Sequence, residues 1–452
     1  MINRRFQHLR FSSTDRAILK NIAIITPLSL IGRAGTLLIY GVLATWFGIN
    51  QWMDFLYYHW GIAIFLSEVL SSASAYSVLI PMLAAERSKS HDDANACLKA
   101  IFSIYLVCMP IVCCVLAALS YFVSLFFLTQ PNLTVKGVVG IVGGFGLLTM
   151  STSIRWLFKA VLDAYQCFHL PAMMQGLRVP VVIGLIYVLK QPLGIYSIVW
   201  ALIAGELLQV GILFGVCRFS LKMYGLFDVA NLRHNWQTYT KIKQFLRKCA
   251  LLMGAAVSAG LNPVVDRGMG ATLGGGAVSK LDYAFKLCAI PESVTGVIFP
   301  VLLSHWSVLS ADANVQLLRQ SVWKGIIATV AFVGPLILAF YYFRTTIVAL
   351  VYGHGVIAET ALHHVSSLFG IYLIGTLLRL VSRLLIRAHL ALQNVKFVFS
   401  ATLIRTIFNP FLNLIFMKFW GLDGIALSTV LLSVPVTAYI GIAFWIVSQR
   451  RG

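Results

Sequence analysis

Apolar residues form long, almost uninterrupted stretches along this chain, and short polar segments separate them. A bilayer core of about 30 Å requires about 20 mostly apolar residues per helix. Windows of that size predict about twelve spans, at 21–48, 55–85, 98–128, 135–164, 170–189, 194–217, 247–273, 277–303, 322–350, 360–388, 396–418 and 421–447. The pattern therefore predicts an all-α polytopic membrane protein.

Composition agrees with this prediction and excludes several function classes. Of the 452 residues, 59% are hydrophobic and 11% are charged, whereas soluble proteins carry about 25% charged residues. This difference excludes a soluble enzyme, a nucleic-acid-binding protein and a disordered chain. The net charge of +20 is then explained by cytoplasmic loops that face anionic lipid.

Lysine and arginine are distributed unequally between the two sides of the predicted bundle. The N-terminus, the even-numbered loops and the C-terminus hold 20 of them, and the opposite loops hold four. Because cytoplasmic loops carry the excess of basic residues, both termini are predicted to be cytoplasmic. We expect a multi-pass protein of the bacterial inner membrane.

The two halves of the chain repeat each other. Ala44–Gly48 recurs as Ala271–Gly275, Gly194 recurs as Gly421, and segment 159–164 recurs as 383–388, at offsets close to half the chain length. Parallel repeats of this kind are typical of transporters whose substrate site lies at the repeat interface; a duplicated channel or scaffold is the alternative. The predicted domains are a cytoplasmic segment 1–20, a six-helix lobe 21–217, a basic connector 218–246, a second six-helix lobe 247–447 and a cytoplasmic tail 448–452.

The predicted spans contain an excess of basic residues. A charge at the bilayer centre costs at least about 2.5–3.5 kcal/mol, so such residues should face a cavity or a partner. Eleven basic residues stand against seven acidic ones, which leaves room for an anionic substrate. The basic residues are Arg33, Arg155, Lys159, Arg178, Arg267, Lys286, Arg344, Arg379, Arg383, Arg387 and Arg405, and the acidic ones are Asp54, Glu68, Asp163, Glu206, Asp266, Asp282 and Glu292.

Three arginines form a stripe on the tenth span. Arg379, Arg383 and Arg387 are spaced four residues apart on an otherwise apolar helix, so they lie along one face. Guanidinium groups bind phosphate through paired hydrogen bonds. The alternatives are that Arg387 snorkels to the cytoplasmic surface and that the other two pair with acidic residues.

Motifs for catalysis or metal binding are absent from the sequence. Gly274–Gly276 predicts a tight turn between the seventh and eighth spans, and His363 and His364 are adjacent and so cannot share a helix face. No zinc-protease, serine-hydrolase or paired-carboxylate pattern occurs. We expect no enzymatic activity, no cofactor and no metal site.

Several blocks of the sequence resemble the MurJ/MviN-type lipid II flippases of the multidrug/oligosaccharidyl-lipid/polysaccharide (MOP) exporter superfamily. The first half contributes Arg33, Ala44–Gly48 (ATWFG), Asp54, the run through Pro81 (IPML) and Leu162–Ala172 (LDAYQCFHLPA). The second half contributes Val278–Leu303, Arg387–Lys396 (RAHLALQNVK), Asn409, Asn413 and Gly421–Leu427 (GLDGIAL). The resemblance covers most of residues 21–440.

The resemblance implies a two-lobed helical bundle with a central cationic cavity. Such a protein carries undecaprenyl-pyrophosphate-linked oligosaccharide from the inner to the outer leaflet by alternating access. The predicted pyrophosphate-binding residues are Arg33, Lys286, Arg379 and Arg383, and the candidates for a gate, a counter-ion or ion coupling are Asp54, Glu68, Asp266 and Asp282. The expected partners are the lipid-linked glycan and the bilayer, with H⁺, Na⁺ or the membrane potential as the candidate driving force.

The chain also departs from the family pattern. Ile39 and the Ser67-Glu68 pair stand where these flippases usually have basic residues, and twelve spans are predicted where fourteen are typical. These departures favour a relative that serves an exopolysaccharide, O-antigen or similar pathway. The alternative functions are a cation-coupled multidrug exporter of the same superfamily and a non-transporting scaffold of a glycan-synthesis complex.

Overall fold

The structure is a computed structural model that describes residues 13–70, 77–87, 90–127, 135–165, 167, 169–221, 236–295, 302, 306, 315–392 and 394–451. In the first half, the described helices are α1 (Ser13–Phe47), α2 (Gln51–Ser67), α3 (Ser77–Arg87), α4 (His91–Phe127), α5 (Val135–Ala164), α6 (His169–Leu193) and α7 (Tyr196–Phe219). In the second half, they are α8 (Trp236–Ala271), α9 (Ala277–Leu287), α10 (Ala289–Thr295), α11 (Val315–Tyr342), α12 (Arg344–Tyr352), α13 (Glu359–Ala391) and α14 (Val395–Arg451). Part of the predicted N-terminal segment and about half of the predicted connector lie outside these residues.

By length and composition, seven helical stretches within the described residues could cross a membrane. The last of them, Lys396–Gln449, contains the two predicted spans 396–418 and 421–447, because α14 is interrupted at Gly421 (φ 54°, ψ −128°). The fold class that the apolar pattern predicts, an all-α polytopic membrane protein, is confirmed.

Two of the predicted spans are interrupted rather than continuous. The eighth breaks at Cys288, between α9 and α10, and the ninth breaks at Phe343, between α11 and α12. Pro291 stands in the first turn of α10, where a helix tolerates the missing N–H because that group has no intrahelical partner. Hydropathy alone does not detect such breaks, because the flanking residues remain apolar.

The helices form two lobes that pack in the same way. In the first lobe α2 packs on α5 and α5 packs on α7; in the second lobe α9 packs on α13 and α13 packs on α14. The glycines that the repeat aligns have the same unusual backbone, since φ is 53° at Gly194 and 54° at Gly421. The tight turn is also confirmed, with φ values of 106° at Gly274 and 87° at Gly276.

Large apolar side chains cover much of the outer surface. Phe332, Tyr342 and Phe419 are 70% or more exposed, which would be unfavourable over so wide an area in water. Buried polar and charged residues lie inside the lobes instead, among them Asp54, Glu206, Asp282 and Arg379. This distribution suits a protein that is surrounded by lipid and has a polar interior.

The turn at Gly421 gives a test of the repeat. Its combination of φ and ψ is one that residues with a Cβ atom avoid, so we expect Gly421→Ala to cost about 1–3 kcal/mol and to lower the melting temperature in detergent. Gly211→Ala is the matched control, because an added Cβ there meets only open space on helix α7. Equal melting temperatures for the two variants would contradict the strained turn.

Candidate functional site

Two cavities within the described part of the chain both have residues of helix α9 in their lining. We call them the N-lobe pocket, of about 220 Å³, and the C-lobe pocket, of about 180 Å³. The N-lobe pocket is lined by Thr36, Tyr40, Trp60, Ala63, Ile64, Ser67, Glu68, Leu148, Thr152, Arg155, Trp156, Arg178, Glu206 and Lys286. The C-lobe pocket is lined by Asn262, Pro263, Asp266, Arg267, Leu281, Asp282, Phe285, Tyr372, Arg379, Arg383, Arg405, Asn409, Thr429 and Leu432.

Helix α9 contributes side chains to the lining of both pockets. Asp282 and Phe285 line the C-lobe pocket, whereas Lys286 lines the N-lobe pocket. The Lys286 ammonium lies 5.0 Å from the centre of the Tyr40 ring on α1 and interacts electrostatically with Asp282, Arg267 and Glu68. One helix therefore connects the charges of both pockets.

A cluster of three charged side chains forms the inner wall of the N-lobe pocket. Glu206 on α7 accepts a 2.6 Å hydrogen bond from Arg155 Nε on α5 and lies 3.1 Å from Arg178 NH1 on α6. The Glu206 carboxylate is only 3% exposed. A Cβ on Gly205 would lie 3.1 Å from Cγ of Arg178, so the glycine lets that side chain lie against α7. We call these residues the Arg155–Glu206–Arg178 cluster.

An arginine of the second lobe reaches the first lobe beside the C-lobe pocket. Arg267 on α8 donates from Nε and NH2 to one oxygen of Asp282 on α9, at 2.8 and 2.7 Å. A Cβ on Gly61 of α2 would lie 2.6 Å from NH1 of Arg267. The guanidinium therefore rests on the bare backbone of α2, and the missing side chain allows this contact between the lobes.

The arginine stripe predicted on the tenth span is partly neutralised. Glu292 on α10 bridges Arg379 Nε at 3.2 Å and Arg383 NH1 at 2.8 Å. Arg379 is buried, and its NH1 atom is buried without a hydrogen-bond partner, whereas the Arg383 side chain is 48% exposed. Two cations thus share one carboxylate, and both arginines line the C-lobe pocket.

Asp266 has a different environment from the neighbouring carboxylates. One of its oxygens accepts hydrogen bonds from the amides of Asn409 and Asn413, both at 2.7 Å, and the other accepts from the Thr429 hydroxyl at 3.2 Å. These partners, all on α14, are neutral. The adjacent Arg267 pairs with Asp282 instead, because neighbouring residues on a helix point in different directions.

Asp54 connects the two lobes at the end of the bundle that the charge distribution predicts to be extracytoplasmic. Its carboxylate accepts hydrogen bonds from the backbone N–H groups of Gly276 and Ser279, at 2.6 and 2.7 Å, and from the Ser279 hydroxyl at 2.5 Å. It therefore caps the N-terminus of α9, where an acidic group is favourable.

Two further hydrogen bonds link the lobes at the same end. The Tyr283 hydroxyl donates to the Gly48 carbonyl at 3.1 Å, and the backbone N–H of Val356 donates to the Thr45 carbonyl at 3.4 Å. Together with Asp54, these contacts hold this end of the bundle closed.

The structure divides the predicted site residues among several places. Lys286 and Glu68 line the N-lobe pocket, and Arg379, Arg383, Asp266 and Asp282 line the C-lobe pocket. Arg33 is exposed on α1, three residues before Thr36 of the N-lobe pocket, but does not line either pocket. Asp54 lies at the closed end. The four predicted pyrophosphate ligands are thus not gathered in a single pocket.

Sequence reasoning did not single out the Arg155–Glu206–Arg178 cluster, Arg267 or Arg405 as site residues. In the sequence, all of them are charged residues within apolar spans, and this feature could have pointed to them. Their partners lie on other helices: 51 residues separate Arg155 from Glu206, for example. Spacing along one helix could not reveal these pairs.

Positive charge predominates in the interior. The two pockets are lined by seven basic and four acidic side chains, and Glu292 adds a fifth carboxylate against Arg379 and Arg383. An excess of two positive charges remains. This arrangement can hold an anionic group away from bulk water.

Comparison with known proteins agrees with the fold and the charges. Residues 43–452 match the family model "Lipid II flippase MurJ". The lipid II flippase MurJ of Burkholderia cenocepacia is 24% identical over 430 residues, which cover 91% of this chain and 80% of that protein. The probable lipid II flippase MurJ of Borreliella burgdorferi is 22% identical, with 91% and 79% covered.

Solved structures show the same fold. A lipid II flippase MurJ in an inward closed conformation superposes with a TM-score of 0.76 at 18% identity, covering 95% of this chain and 90% of that one. An inward-facing multidrug resistance MATE family transporter of the MOP superfamily gives a TM-score of 0.69 at 11% identity, covering 95% and 94%.

The helical fold with charged internal pockets is that of a polytopic membrane protein, and the solved flippase and the solved MATE transporter share this fold. Within that class, the chain belongs to the MurJ lipid II flippase family, because the family model matches most of its length. Members of this family are flippases of lipid-linked precursors. The predicted resemblance is confirmed.

The Arg267–Asp282 pair should be strongly coupled. Removing one partner of a buried pair leaves an unpaired charge, so we expect Arg267→Gln and Asp282→Asn each to cost about 3–5 kcal/mol. The double variant should cost less than the sum of the two single variants. A double-mutant cycle of unfolding free energies in SDS titrations measures this coupling.

The His364–Asp423 pair, whose side chains are 36% and 38% exposed, is the control. Its coupling should stay below about 1 kcal/mol. Additive effects of Arg267→Gln and Asp282→Asn would show that the interaction between these two side chains contributes nothing to stability.

Proposed function

We propose that this protein flips an undecaprenyl-pyrophosphate-linked oligosaccharide, a cell-wall or exopolysaccharide precursor, from the inner to the outer leaflet of the bacterial inner membrane. The observation that carries the proposal is the excess of two positive charges along the two interior pockets, with Glu292 counted against Arg379 and Arg383. A pyrophosphate group supplies the negative charge that this excess requires. Lipid II is the substrate named for the relatives and is one member of this class.

The pyrophosphate is bound between Lys286 of α9, which lines the N-lobe pocket, and the exposed Arg383, which lines the C-lobe pocket. Arg379 supports Arg383 through the shared carboxylate of Glu292. Arg33, exposed on α1, meets the headgroup as it enters. The polyprenyl tail stays in the lipid between the lobes, so only the polar headgroup crosses the interior.

Transport proceeds by alternating access, with the Asp54 cap as part of the gate on the extracytoplasmic side. Opening that side requires the carboxylate to leave the N-terminus of α9. The N- and C-termini are cytoplasmic in this arrangement. Asp266 is the candidate for coupling to H⁺ or Na⁺, because its hydrogen bonds come from neutral groups and leave its charge available to a cation.

A multidrug exporter of cationic compounds fits the charges less well. Such a transporter would need an acidic cavity, whereas basic side chains predominate along both pockets. A scaffold without transport activity would keep the fold and lose the function, and the following experiment would reveal it.

Depletion of the protein should cause undecaprenyl-pyrophosphate-linked glycans to accumulate on the cytoplasmic leaflet. Wild-type protein should restore their distribution, and the double variant Arg33→Ala/Arg383→Ala should not. Each lost charge-assisted hydrogen bond costs about 1.5–3 kcal/mol, so losing both should weaken headgroup binding about 100-fold or more. Leaflet-specific labelling of lipid II and of the other lipid-linked glycans in the cell measures the distribution.

The matched control is Lys396→Ala/Lys418→Ala, which removes two exposed cations that do not line either pocket. It should restore the distribution as wild type does. An unchanged distribution in depleted cells, or full rescue by the Arg33/Arg383 double variant at equal protein level, would rule out flipping by this cationic site.

The gate can be locked covalently. The Gln51 Cγ atom lies 2.6 Å from the place of a Cβ on Gly275, so cysteines at the two positions would be adjacent, as a disulfide requires. We expect oxidised Gln51→Cys/Gly275→Cys to reduce flipping to the background of depleted cells, because the lobes cannot separate at this end. A reductant should restore flipping.

The single variants Gln51→Cys and Gly275→Cys, treated with the same oxidant, control for changes at either position alone. Leaflet distribution is again the measurement, together with the fraction of cross-linked protein. Flipping at the wild-type rate by fully cross-linked protein would show that this contact does not need to open.

A further inference from the structure

The steps proposed above leave the Arg155–Glu206–Arg178 cluster without a role. It contains two cations and one anion in the interior of a membrane protein, where each charge is costly. Its members come from three different helices, α5, α6 and α7, and all three line the N-lobe pocket. The cluster therefore contributes polar groups to a cavity, beyond any contribution to packing.

Three aromatic side chains, Tyr40, Trp60 and Trp156, also line this pocket. Trp60 stacks on Tyr40 with ring centres 5.3 Å apart and planes within 8° of parallel. Trp156, on the same helix as Arg155, also lines the pocket and has the Arg155 guanidinium 5.2 Å from its ring centre. The lining also contains the hydroxyls of Thr36, Ser67 and Thr152, so the pocket offers both flat apolar surfaces and hydrogen-bonding groups.

Such a lining matches the chemistry of a sugar ring. The C–H bonds on a face of a pyranose carry partial positive charge and are attracted to the negative face of an aromatic ring. Hydroxyl and acetamido groups around the rim donate and accept hydrogen bonds. Planar guanidinium and carboxylate groups can bind two such groups at once.

The C-lobe pocket has a different lining. Four arginines line it, namely Arg267, Arg379, Arg383 and Arg405, a set that is better suited to phosphate oxygens than to a neutral ring. Lys286 belongs to the lining of the N-lobe pocket. A pyrophosphate held by Lys286 and Arg383 thus places the next chemical group of the substrate beside the N-lobe pocket.

We propose that the N-lobe pocket is the subsite for the sugar attached directly to the pyrophosphate, with the aromatic side chains of Trp60 and Trp156 against the ring and the Arg155–Glu206–Arg178 cluster at its polar rim. This subsite rests on the proposed function and goes further, because it lets the protein discriminate a glycosylated carrier from the bare carrier lipid.

Equilibrium binding to the full-length protein in lipid nanodiscs tests the subsite. The probes are radiolabelled undecaprenyl phosphate, undecaprenyl pyrophosphate, undecaprenyl-pyrophosphoryl-N-acetylglucosamine and lipid II. We expect at least one of the two sugar-bearing lipids to bind wild-type protein roughly tenfold more tightly than undecaprenyl pyrophosphate does. Trp156→Ala should reduce this ratio to less than about threefold and leave the affinity for undecaprenyl pyrophosphate unchanged.

Thr152→Val, which replaces a hydroxyl of the pocket by a methyl group of similar size, should lower the same ratio by a smaller factor. Trp200→Ala is the matched control, because Trp200 on α7 is 50% exposed and does not line the pocket. It should leave both affinities at the wild-type level. Melting temperatures of all variants show whether they are folded.

The outcomes distinguish the two proposals. Equal binding of bare and glycosylated pyrophosphates by wild-type protein would overturn the sugar subsite while leaving the flippase proposal in place. An equal loss of affinity for both classes in folded Trp156→Ala would also overturn it. Pyrophosphate lipids that bind no better than undecaprenyl phosphate would instead contradict the proposed cationic site.

Discussion

The cost of placing charge inside a membrane bundle is the constraint on which this structure depends. Every ionised side chain in the interior needs a partner or water, and this chain meets the requirement with shared carboxylates. Glu206 serves Arg155 and Arg178, and Glu292 serves Arg379 and Arg383. One carboxylate between two guanidiniums leaves each group partly neutralised and still attractive to an anion. The interior is therefore stable without substrate and remains receptive to it.

Helix α9 carries the organisation that follows from this constraint. Its N-terminus is capped by Asp54 from the other lobe, Asp282 holds Arg267 against α2, and Lys286 faces the N-lobe pocket. The contacts that close one end of the bundle and the contacts that line the two pockets are thus separated by less than three turns of one short helix. Movement of α9 would change the gate and the electrostatics of both pockets together.

Much of the fold could be predicted from sequence, and much of the site could not. Long apolar stretches indicated the spans, and the aligned Gly194 and Gly421 indicated the repeat that their matching φ values show. The breaks at Cys288 and Phe343 were missed because they interrupt apolar sequence without a change of hydropathy. The excess of basic residues predicted a cationic interior, but which pocket each residue lines depends on packing between helices far apart in sequence. For that reason Arg383 and Lys286 were predicted in one site, whereas they line different pockets.

The Asp54 cap has an asymmetry that bears on how such a gate can change over evolution. Two of its three hydrogen bonds come from backbone N–H groups at Gly276 and Ser279, and substitution of a side chain does not delete a backbone donor. Drift on the α9 side therefore leaves the contact largely intact, while a single codon change at position 54 removes it. Compensating mutations are correspondingly restricted: a lost acidic residue on α2 has no reciprocal replacement on α9 that would restore the contact. On the α9 side, selection can change only the one hydrogen bond that a side chain donates, that of the Ser279 hydroxyl.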